Sequence, residues 1–388
     1  MKVLYILQSS VIHGGAHKSF MSMVTELIPL GVSPIVVLPD DRGLSKELRN
    51  KGIRTFIIPF KTGRYPTFST VKSKILFIPR LLQMLILNSL AVKSLRQFVR
   101  NNDIDIIHSN STVINIGFLV SSKTDIPHVW HIREYGDSDF KIHYFPSSKV
   151  LHNRLRCEKS FSISITEDVC RHHGLLNNSN SVVIYNPIDY PIVDVKTNNK
   201  KHVFLYVGSL SENKGTADVI KAFANFIELY PENDYVLKII GKGSSKYVEY
   251  CKRLVDEYNL SKKVFFMGVV DNVRPFYQEA IAFIMPSYSE GFGRVTAEAM
   301  LSGTLVIGRD TAGTKEQFDK GLSLTGNEIG LRFNTINELS SLMLKVAKSD
   351  LTTFLPLVEN GQRVAYELYS SIKHAQNVMN FYKKIINK

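Results

Sequence analysis

Short apolar runs alternate with stretches of helical period along most of the chain. Val3–Leu7 is a run of five apolar residues ended by Gln8-Ser9-Ser10, the pattern of a strand buried on both faces. The next segment places Ala16, Phe20, Met23, Val24, Leu27 and Ile28 at helical spacing. Ile35–Leu38 and Thr55–Ile58 read as further strands, each followed by proline. Asp105–His108, His128–Trp130, Ser162–Ile165 and Val182–Tyr185 continue the series. Strand–helix alternation of this kind predicts a parallel sheet covered on both faces.

The pattern then breaks and restarts. Residues 186–201, NPIDYPIVDVKTNNKK, are rich in Pro, Asn and charge and have no amphipathic period, which is linker composition. A second alternation opens at Val203–Val207, with strands expected at Val236–Ile240, Val264–Met267, Ala282–Met285 and Leu305–Ile307. Helices are expected at 215–230, 246–258 and 295–302, and a last helical stretch at about 356–386 has no strand after it. The expectation is an α/β chain of two Rossmann-like domains. An N-terminal domain spans 1–190 and is joined by a C-terminal helix at about 372–388; a linker covers 191–201; a second domain covers 202–371. Ligands of such sheets bind at the carboxyl ends of the strands, so two facing domains would place the site in the cleft between them.

Composition narrows the reading without deciding it. The 388 residues carry 48 Lys+Arg against 35 Asp+Glu, a net +13, with 44% hydrophobic and 21% charged residues. These values exclude global disorder, and the length fits two to three domains at roughly 150 residues each. Residues 1–190 hold 23 basic and 14 acidic side chains and nine of the eleven histidines. Such an excess is compatible with nucleic acid, an anionic membrane or an anionic small molecule. Three cysteines, Cys157, Cys170 and Cys251, are too few and too scattered for a disulfide scaffold or a four-cysteine zinc site, which fits a reducing, cytoplasmic compartment. The first apolar run is shorter than a signal-peptide core, and no uncharged apolar run is long enough to span a membrane.

Two segments carry candidate chemistry. In QSSVIHGGAHKS, Gly14 and Gly15 sit between the first strand and first helix, where a phosphate can approach the backbone. A plain tight turn reads equally well there, and the absence of G-x-G-x-x-G disfavours NAD. In SYSEGFGRVTAEAM, Glu290 lies in a loop after a strand and Glu298 lies about one turn into the following helix. Gly291 and Gly293 keep that loop open, so its N–H groups can hold a phosphate oxygen, while a carboxylate suits a ribose diol. The competing reading is a solvated helix start carrying two acidic residues favoured by the dipole.

At this segment the chain resembles the retaining glycosyltransferases of family 4, which have the GT-B fold; the resemblance covers nearly the whole length, and Glu290-GFGRVTA-Glu298 is its most specific part. It implies that Glu290 contacts the transferred sugar, that Glu298 binds the nucleotide ribose, and that Gly291, Phe292 and Gly293 meet the diphosphate and sugar. YVGSLSENKG, Tyr206–Gly215, is similar to the family's strand and turn that deliver a lysine, here Lys214, to the diphosphate. Ser209 stands where the family usually has arginine, and Arg294 or Arg133 are the candidate replacements. Gly241-Lys242-Gly243 and FMGVVDNVRPFY resemble the wall around the base, with backbone near Gly268 as its hydrogen-bonding partner. WHIRE, Trp130–Glu134, places His131 where the family has a histidine beside sugar and phosphate, with Arg133 and Glu134 as acceptor or cleft residues.

The resemblance further implies a metal-independent transferase with no cofactor, a nucleotide-sugar donor, UDP-linked by default, and a glycan or lipid-linked acceptor in polysaccharide or glycolipid synthesis. Asp103-Ile-Asp105 and Asp137-Ser-Asp139 have the spelling of a metal-binding pair, and both read as decoys. Retention is expected on the front face, the departing phosphate taking the acceptor proton, with a covalent Glu290 intermediate as the alternative. Residues 71–100 combine Leu, Ile and Phe runs with six basic and no acidic side chains, and Pro79 should start or kink a helix there. A domain helix with one buried face and a helix lying on an anionic membrane are both compatible with this stretch. Other functions left open are a GT-B epimerase or phosphorylase, a catalytically silent homologue, and a basic nucleic-acid-binding protein, the last without zinc spacing or RNP aromatics.

Overall fold

The computed structural model describes the chain except residues 13, 67–69 and 196–199. It divides into two compact units, Met1–Pro187 with Ser371–Lys388, and Ile188–Ser370. The first holds a seven-stranded sheet: β1 (Lys2–Ile6), β2 (Ser33–Leu38), β3 (Arg54–Ile57), β4 (Ile106–Ser109), β5 (His128–Ile132), β6 (Ser160–Ser164) and β7 (Ser181–Val183). Their spatial order is β3-β2-β1-β4-β5-β6-β7, and every pair is parallel. The second holds β8 (Lys201–Val207), β9 (Val236–Ile240), β10 (Val264–Gly268), β11 (Ala280–Met285), β12 (Leu305–Arg309) and β13 (Leu331–Phe333), in the order β10-β9-β8-β11-β12-β13, again all parallel.

Strand order reverses between β1 and β4 in one sheet and between β8 and β11 in the other. Loops leaving neighbouring strands at such a reversal go to opposite faces and open a crevice at the carboxyl edge. The loop after β1 carries Gly14 and Gly15; the loops after β8 and β11 carry Lys214 and Glu290.

Both faces of each sheet are covered, because parallel strands expose apolar side chains on both sides. In the first unit one face packs under the helices Gly15–Leu27 and Ser371–Ile386, burying Phe20, Val24, Val378 and Phe381 with Tyr5, Val129 and Ile163 of the strands. The opposite face packs under Phe77–Asn101 and Asn115–Ser121. The last chain segment therefore completes the first unit's core. The stretch expected as one helix over 356–386 is two, Leu355–Tyr369 and Ser371–Ile386. Ser370, in extended conformation at φ −62° and ψ 144°, separates them.

Most sequence-expected strands fall within two residues of the observed ones. The expectation missed β13, only three residues long, and the helices Ala312–Thr325 and Ile336–Lys348. Residues 188–195, part of which reads as linker, lie in the second unit. Ile188 bridges to Ser370, and the Pro191 and Val193 carbonyls accept from Arg274 and Gln362. These backbone contacts have no hydrophobic period and so leave no sequence signature. Residues 196–199 of the expected linker lie outside the described residues.

Because the C-terminal helix seals the first unit, truncating its buried face should destabilise that unit. Phe381→Ala is expected to cost about 3–5 kcal/mol, whereas the exposed Lys383→Ala stays within about 0.5 kcal/mol. Denaturant unfolding of both variants measures the difference.

Candidate functional site

In the second unit, the turn after β8 tightens into the 3-10 segment Glu212–Lys214 and ends at Gly215, whose φ of 65° is left-handed. A Cβ on Gly215 would sit 2.5 Å from the Pro286 carbonyl oxygen, so glycine lets this turn press against the loop after β11. Tyr288 N–H donates to the Asn213 carbonyl at 3.0 Å, joining the two loops. Arg309 reinforces the joint from β12, donating to the Pro286 carbonyl at 2.9 Å and to Asp218 at 2.7 Å. Its guanidinium lies 4.1 Å from the Tyr288 ring centroid.

This arrangement brings Lys214 and Glu290 together. Lys214 Nζ donates to Glu290 Oε2 at 2.6 Å, and both side chains are partly exposed. The Glu290–Gly293 loop is clamped from the helix Ala312–Thr325. Gly313 N–H donates to the Glu290 carbonyl at 2.8 Å, and a Cβ on Gly313 would meet that carbonyl at 2.6 Å and Phe292 Cα at 2.9 Å. Gln317 Nε2 donates to the Phe292 carbonyl. Phe292 itself is a core anchor, buried edge-on against Tyr369 at 5.0 Å. Gly293, at φ 82°, caps the helix Arg294–Leu301. Gly313 and Gln317 went unnoticed in the sequence, since neither belongs to the Glu-x7-Glu segment. The buried hydroxyls of Ser287, Thr296 and Thr314 have no hydrogen-bond partner among the described residues.

Glu298 is the fifth residue of that helix and only 6% exposed. Its carboxylate accepts weakly, at 3.4 Å each, from Arg294 Nη2 and the Tyr277 hydroxyl. Burial lowers the Arg294 pKa and pushes that of Tyr277 far up. Tyr190, burdened by burial and by the Glu298 charge, is pushed up to about 12. The structure thus directs Arg294 to Glu298. The Ser209 carbonyl, at the turn, accepts from the Tyr206 hydroxyl at 2.8 Å, and its side chain brings no positive charge. Gly268 closes β10 with φ 68°, and its carbonyl accepts from Gly241 N–H at 2.7 Å, joining the two segments expected to wall the base.

In the first unit, Gly14 (φ 112°) precedes the helix that starts at Gly15. His131 is on β5, fully buried, and is surrounded by other imidazoles. His108 Nε2 lies 3.2 Å from His131 Nδ1, and the His374 ring stacks on it at 6.2 Å. Burial, then the nearby Arg133 charge, hold His108 and His131 well below the usual histidine range, so both are neutral. Arg133 is anchored to Asn110 Oδ1 at 2.9 Å and Asn186 Oδ1 at 2.5 Å, and its Nη2 lies 3.4 Å from His131 Nδ1. His108, Asn186 and His374 were not singled out in the sequence. His108 lies on β4, Asn186 follows the end of β7 by three residues and His374 is on the C-terminal helix, all distant from WHIRE along the chain.

Glu134 turns away from these groups. Its Oε1 accepts from Ser111 Oγ at 2.6 Å, Thr112 N–H at 2.8 Å and Thr112 Oγ1 at 2.6 Å. The carboxylate pins the turn after β4, and burial raises its pKa. The Asp pairs are also engaged locally: Asp105 accepts from Lys2 N–H, Asp139 from the Tyr135 and Gly136 amides, and Asp137 pairs with His172.

Against known proteins, residues 13–190 match the model of "Glycosyltransferase Family 4" and residues 192–349 that of "Glycosyl transferases group 1". An uncharacterized glycosyltransferase of Methanocaldococcus jannaschii is 26% identical over 270 residues, 64% of this chain and 65% of that protein. A poly(glycerol-phosphate) alpha-glucosyltransferase of Bacillus subtilis is 26% identical over 208 residues, 50% of this chain but only 30% of the relative. Among solved structures, Anabaena HepE in complex with UDP superposes with a TM-score of 0.77 at 18% identity, covering 99% of this chain and 100% of that one. The same protein has been solved with UDP-glucose. Two family models matched in tandem over two parallel Rossmann-like sheets establish that the chain belongs to glycosyltransferase family 4 and has the GT-B fold.

Proposed function

We propose that this glycosyltransferase moves a sugar from a uridine-diphosphate donor to a glycan or lipid-linked acceptor with retention of configuration, in polysaccharide or glycolipid assembly. The observation that carries the donor reading is the pairing of Lys214 with Glu290 at the sheet's strand-order reversal, one helical segment from the buried Glu298. A cation, a glycine-shaped loop and a second carboxylate at that edge suit a diphosphate, a sugar and a ribose in turn. The UDP and UDP-glucose complexes of a fold neighbour are in line with this donor class.

In this reading Lys214 exchanges its partner Glu290 for the diphosphate, and Glu298 accepts from the ribose hydroxyls. Gly291, Phe292 and Gly293 shape the loop that meets the phosphate, and Gly268 shapes the base wall. The leaving diphosphate is stabilised by Lys214 and by helix N-termini, with no metal required. Its departing oxygen takes the acceptor proton as the sugar bond breaks. Glu290, freed from Lys214, stabilises the positive charge that develops on the sugar, and the His131 N–H binds a sugar or phosphate oxygen. Gly14 and Gly15, at the strand-order reversal of the first sheet, are assigned to phosphate approach. Arg133, held by two asparagines, acts on His131.

The acceptor side rests on the helix Phe77–Asn101. No acidic residue occurs between 48 and 102. Ile78, Leu82, Leu85, Ile86 and Leu90 are all exposed and fall on one helical face, which Lys93 and Arg100 continue. Val71 and Ile75 of the preceding helix Val71–Ile75 are 74% and 73% exposed. The two helices break at Leu76, and Pro79 occupies the first turn of the second, where its missing N–H costs nothing. An exposed apolar face with basic residues suits the surface of an anionic bilayer. No helix among the described residues is long and apolar enough to cross one, so this would be peripheral attachment on the cytoplasmic side.

Three outcomes are expected. UDP release from UDP-sugars should depend on added acceptor; release of equal rate without any acceptor would point instead to hydrolysis or epimerisation. Glu298→Ala should lose a charge-assisted hydrogen bond of about 1.5–3 kcal/mol, or roughly ten- to hundredfold in donor affinity. Calorimetric titration with UDP measures this loss, and unchanged affinity would sink the ribose assignment. The protein should sediment with anionic but not neutral vesicles, and Leu82→Glu with Ile86→Glu should abolish that binding.

A further inference from the structure

Carbonyls along the loop after β11 are held from β12 and from the helix that follows it. Arg309 donates to that of Pro286 at 2.9 Å, and Thr311 Oγ1 to that of Ser287 at 3.1 Å. Gly313 N–H donates to the Glu290 carbonyl at 2.8 Å. Gln317 Nε2 donates to the Phe292 carbonyl and, at 3.3 Å, to that of Gly293. Gly313 and Gln317 are one turn apart on the same face of the helix Ala312–Thr325. That helix starts on Ala312, whose φ of 46° is left-handed and strained for a residue with a Cβ. Such strain persists only where the surroundings fix the backbone, here the bonds of Thr311 and Gly313 on either side.

A trans peptide points its carbonyl and the following N–H in opposite directions, and this loop has no cis bond. With the Glu290, Phe292 and Gly293 carbonyls held by the helix, the N–H groups of Gly291, Gly293 and Arg294 are turned away from it. The space beside Gly293 is closed: a Cβ there would meet Thr296 Oγ1 at 3.3 Å, Glu290 Cγ at 3.4 Å and Gln317 Nε2 at 3.5 Å. The Glu290 stem and the Gln317 amide thus border one spot. Turning that amide over would set its Oε1 against two carbonyl oxygens, so its orientation is fixed. Gln317 is fully buried, and its Oε1 has no hydrogen-bond partner among the described residues. An apolar side chain of the same size would fill this position without stranding an acceptor. Stability alone therefore does not call for glutamine here; the bonds its Nε2 makes to the loop do.

We propose that Gln317 is a positioning residue for sugar transfer: by holding the Phe292 and Gly293 carbonyls it keeps the Gly293 and Arg294 N–H groups, and the Glu290 side chain beside them, directed at the donor. The inference rests on the donor reading above. It gives the helix Ala312–Thr325, which lends no side chain to the donor in that reading, a part in the reaction through the loop. The N–H groups so held face the place where negative charge grows as the diphosphate leaves. Aimed in advance, they need not reorganise at that moment. A loosened loop still binds the donor, because Lys214 is placed by the turn ending at Gly215 and Glu298 by its own helix, but it meets the departing oxygen poorly.

The test follows UDP release by the whole protein from UDP-glucose, UDP-galactose and UDP-N-acetylglucosamine, using whichever is fastest, with water as the acceptor and folding checked by circular dichroism. Losing a preorganised donor outright costs about 10²–10³ in kcat. Misaiming rather than removing the N–H groups should cost less, so Gln317→Leu is expected to lower kcat about tenfold with KM within about threefold. If Gln317→Leu does not fold, Gln317→Met fills the same space with a flexible chain and carries the same expectation. Gln317→Glu adds a second readout. Its protonated carboxyl can replace one of the two bonds, whereas the ionised form repels both carbonyls. Its kcat relative to wild type should therefore rise as pH falls, while the ratio for Gln317→Leu stays flat. Glu290 and Lys214, the charged pair beside the same space, are common to all these proteins and cancel in the ratio. A wild-type kcat in the folded Leu or Met variant would overturn the proposal, as would a Gln317→Glu ratio that does not change with pH. Unchanged UDP affinity in Glu298→Ala, or no release from any of the three donors by wild type, would instead remove the donor reading, and the proposal with it.

Discussion

Parallel pairing of all thirteen strands among the described residues is the constraint on which the rest of this structure depends. Each sheet must be covered on both faces, so the central strands are buried and every crossover runs through a helix or long segment. The polar groups that remain usable gather at the carboxyl edges. The strand-order reversals then select which loops lie side by side. In the second unit they are the loops after β8 and β11, and their joint, tightened at Gly215, Tyr288 and Arg309, brings Lys214 within 2.6 Å of a carboxylate 76 residues away.

The same constraint explains why the C-terminal helix returns to the first unit. Tyr5, Val129 and Ile163 on one face of its sheet require cover beyond what Gly15–Leu27 supplies, and Val378, Phe381 and Tyr382 provide it. A helix needed for cover also brought His374 and Tyr382 beside two buried histidines. Stability and the polar chain behind His131 are thereby carried by the same sixteen residues. Glu134 shows the reverse case. One oxygen of a carboxylate beside candidate site residues in the sequence is engaged by Ser111 and Thr112 of the turn after β4, and Asn110, the residue before them, accepts from Arg133.

Legibility in the sequence followed the physics of each signal. Buried parallel strands announce themselves as apolar runs, and most were located to within two residues. The three-residue β13 is too short to stand out, and the contacts of Ile188, Pro191 and Val193 are made by backbone atoms, which carry no pattern. Glu290, Glu298 and Lys214 were visible because they lie within local motifs. The assistance given to that loop by Gly313 and Gln317 was not, since it comes from the next helix. Arg294 was a candidate for the missing diphosphate cation, yet its position one turn before Glu298 on the same helix sends it to that carboxylate.

The sequence by itself determined the two parallel sheets, the family, and the identity of the motif residues, because period, glycine placement and the Glu-x7-Glu spacing are properties of contiguous chain. The tertiary structure alone decided which charges pair, which carboxylates are spent on the scaffold, and which histidines gather around His131. Those depend on groups separated by tens to hundreds of residues and brought together only by packing.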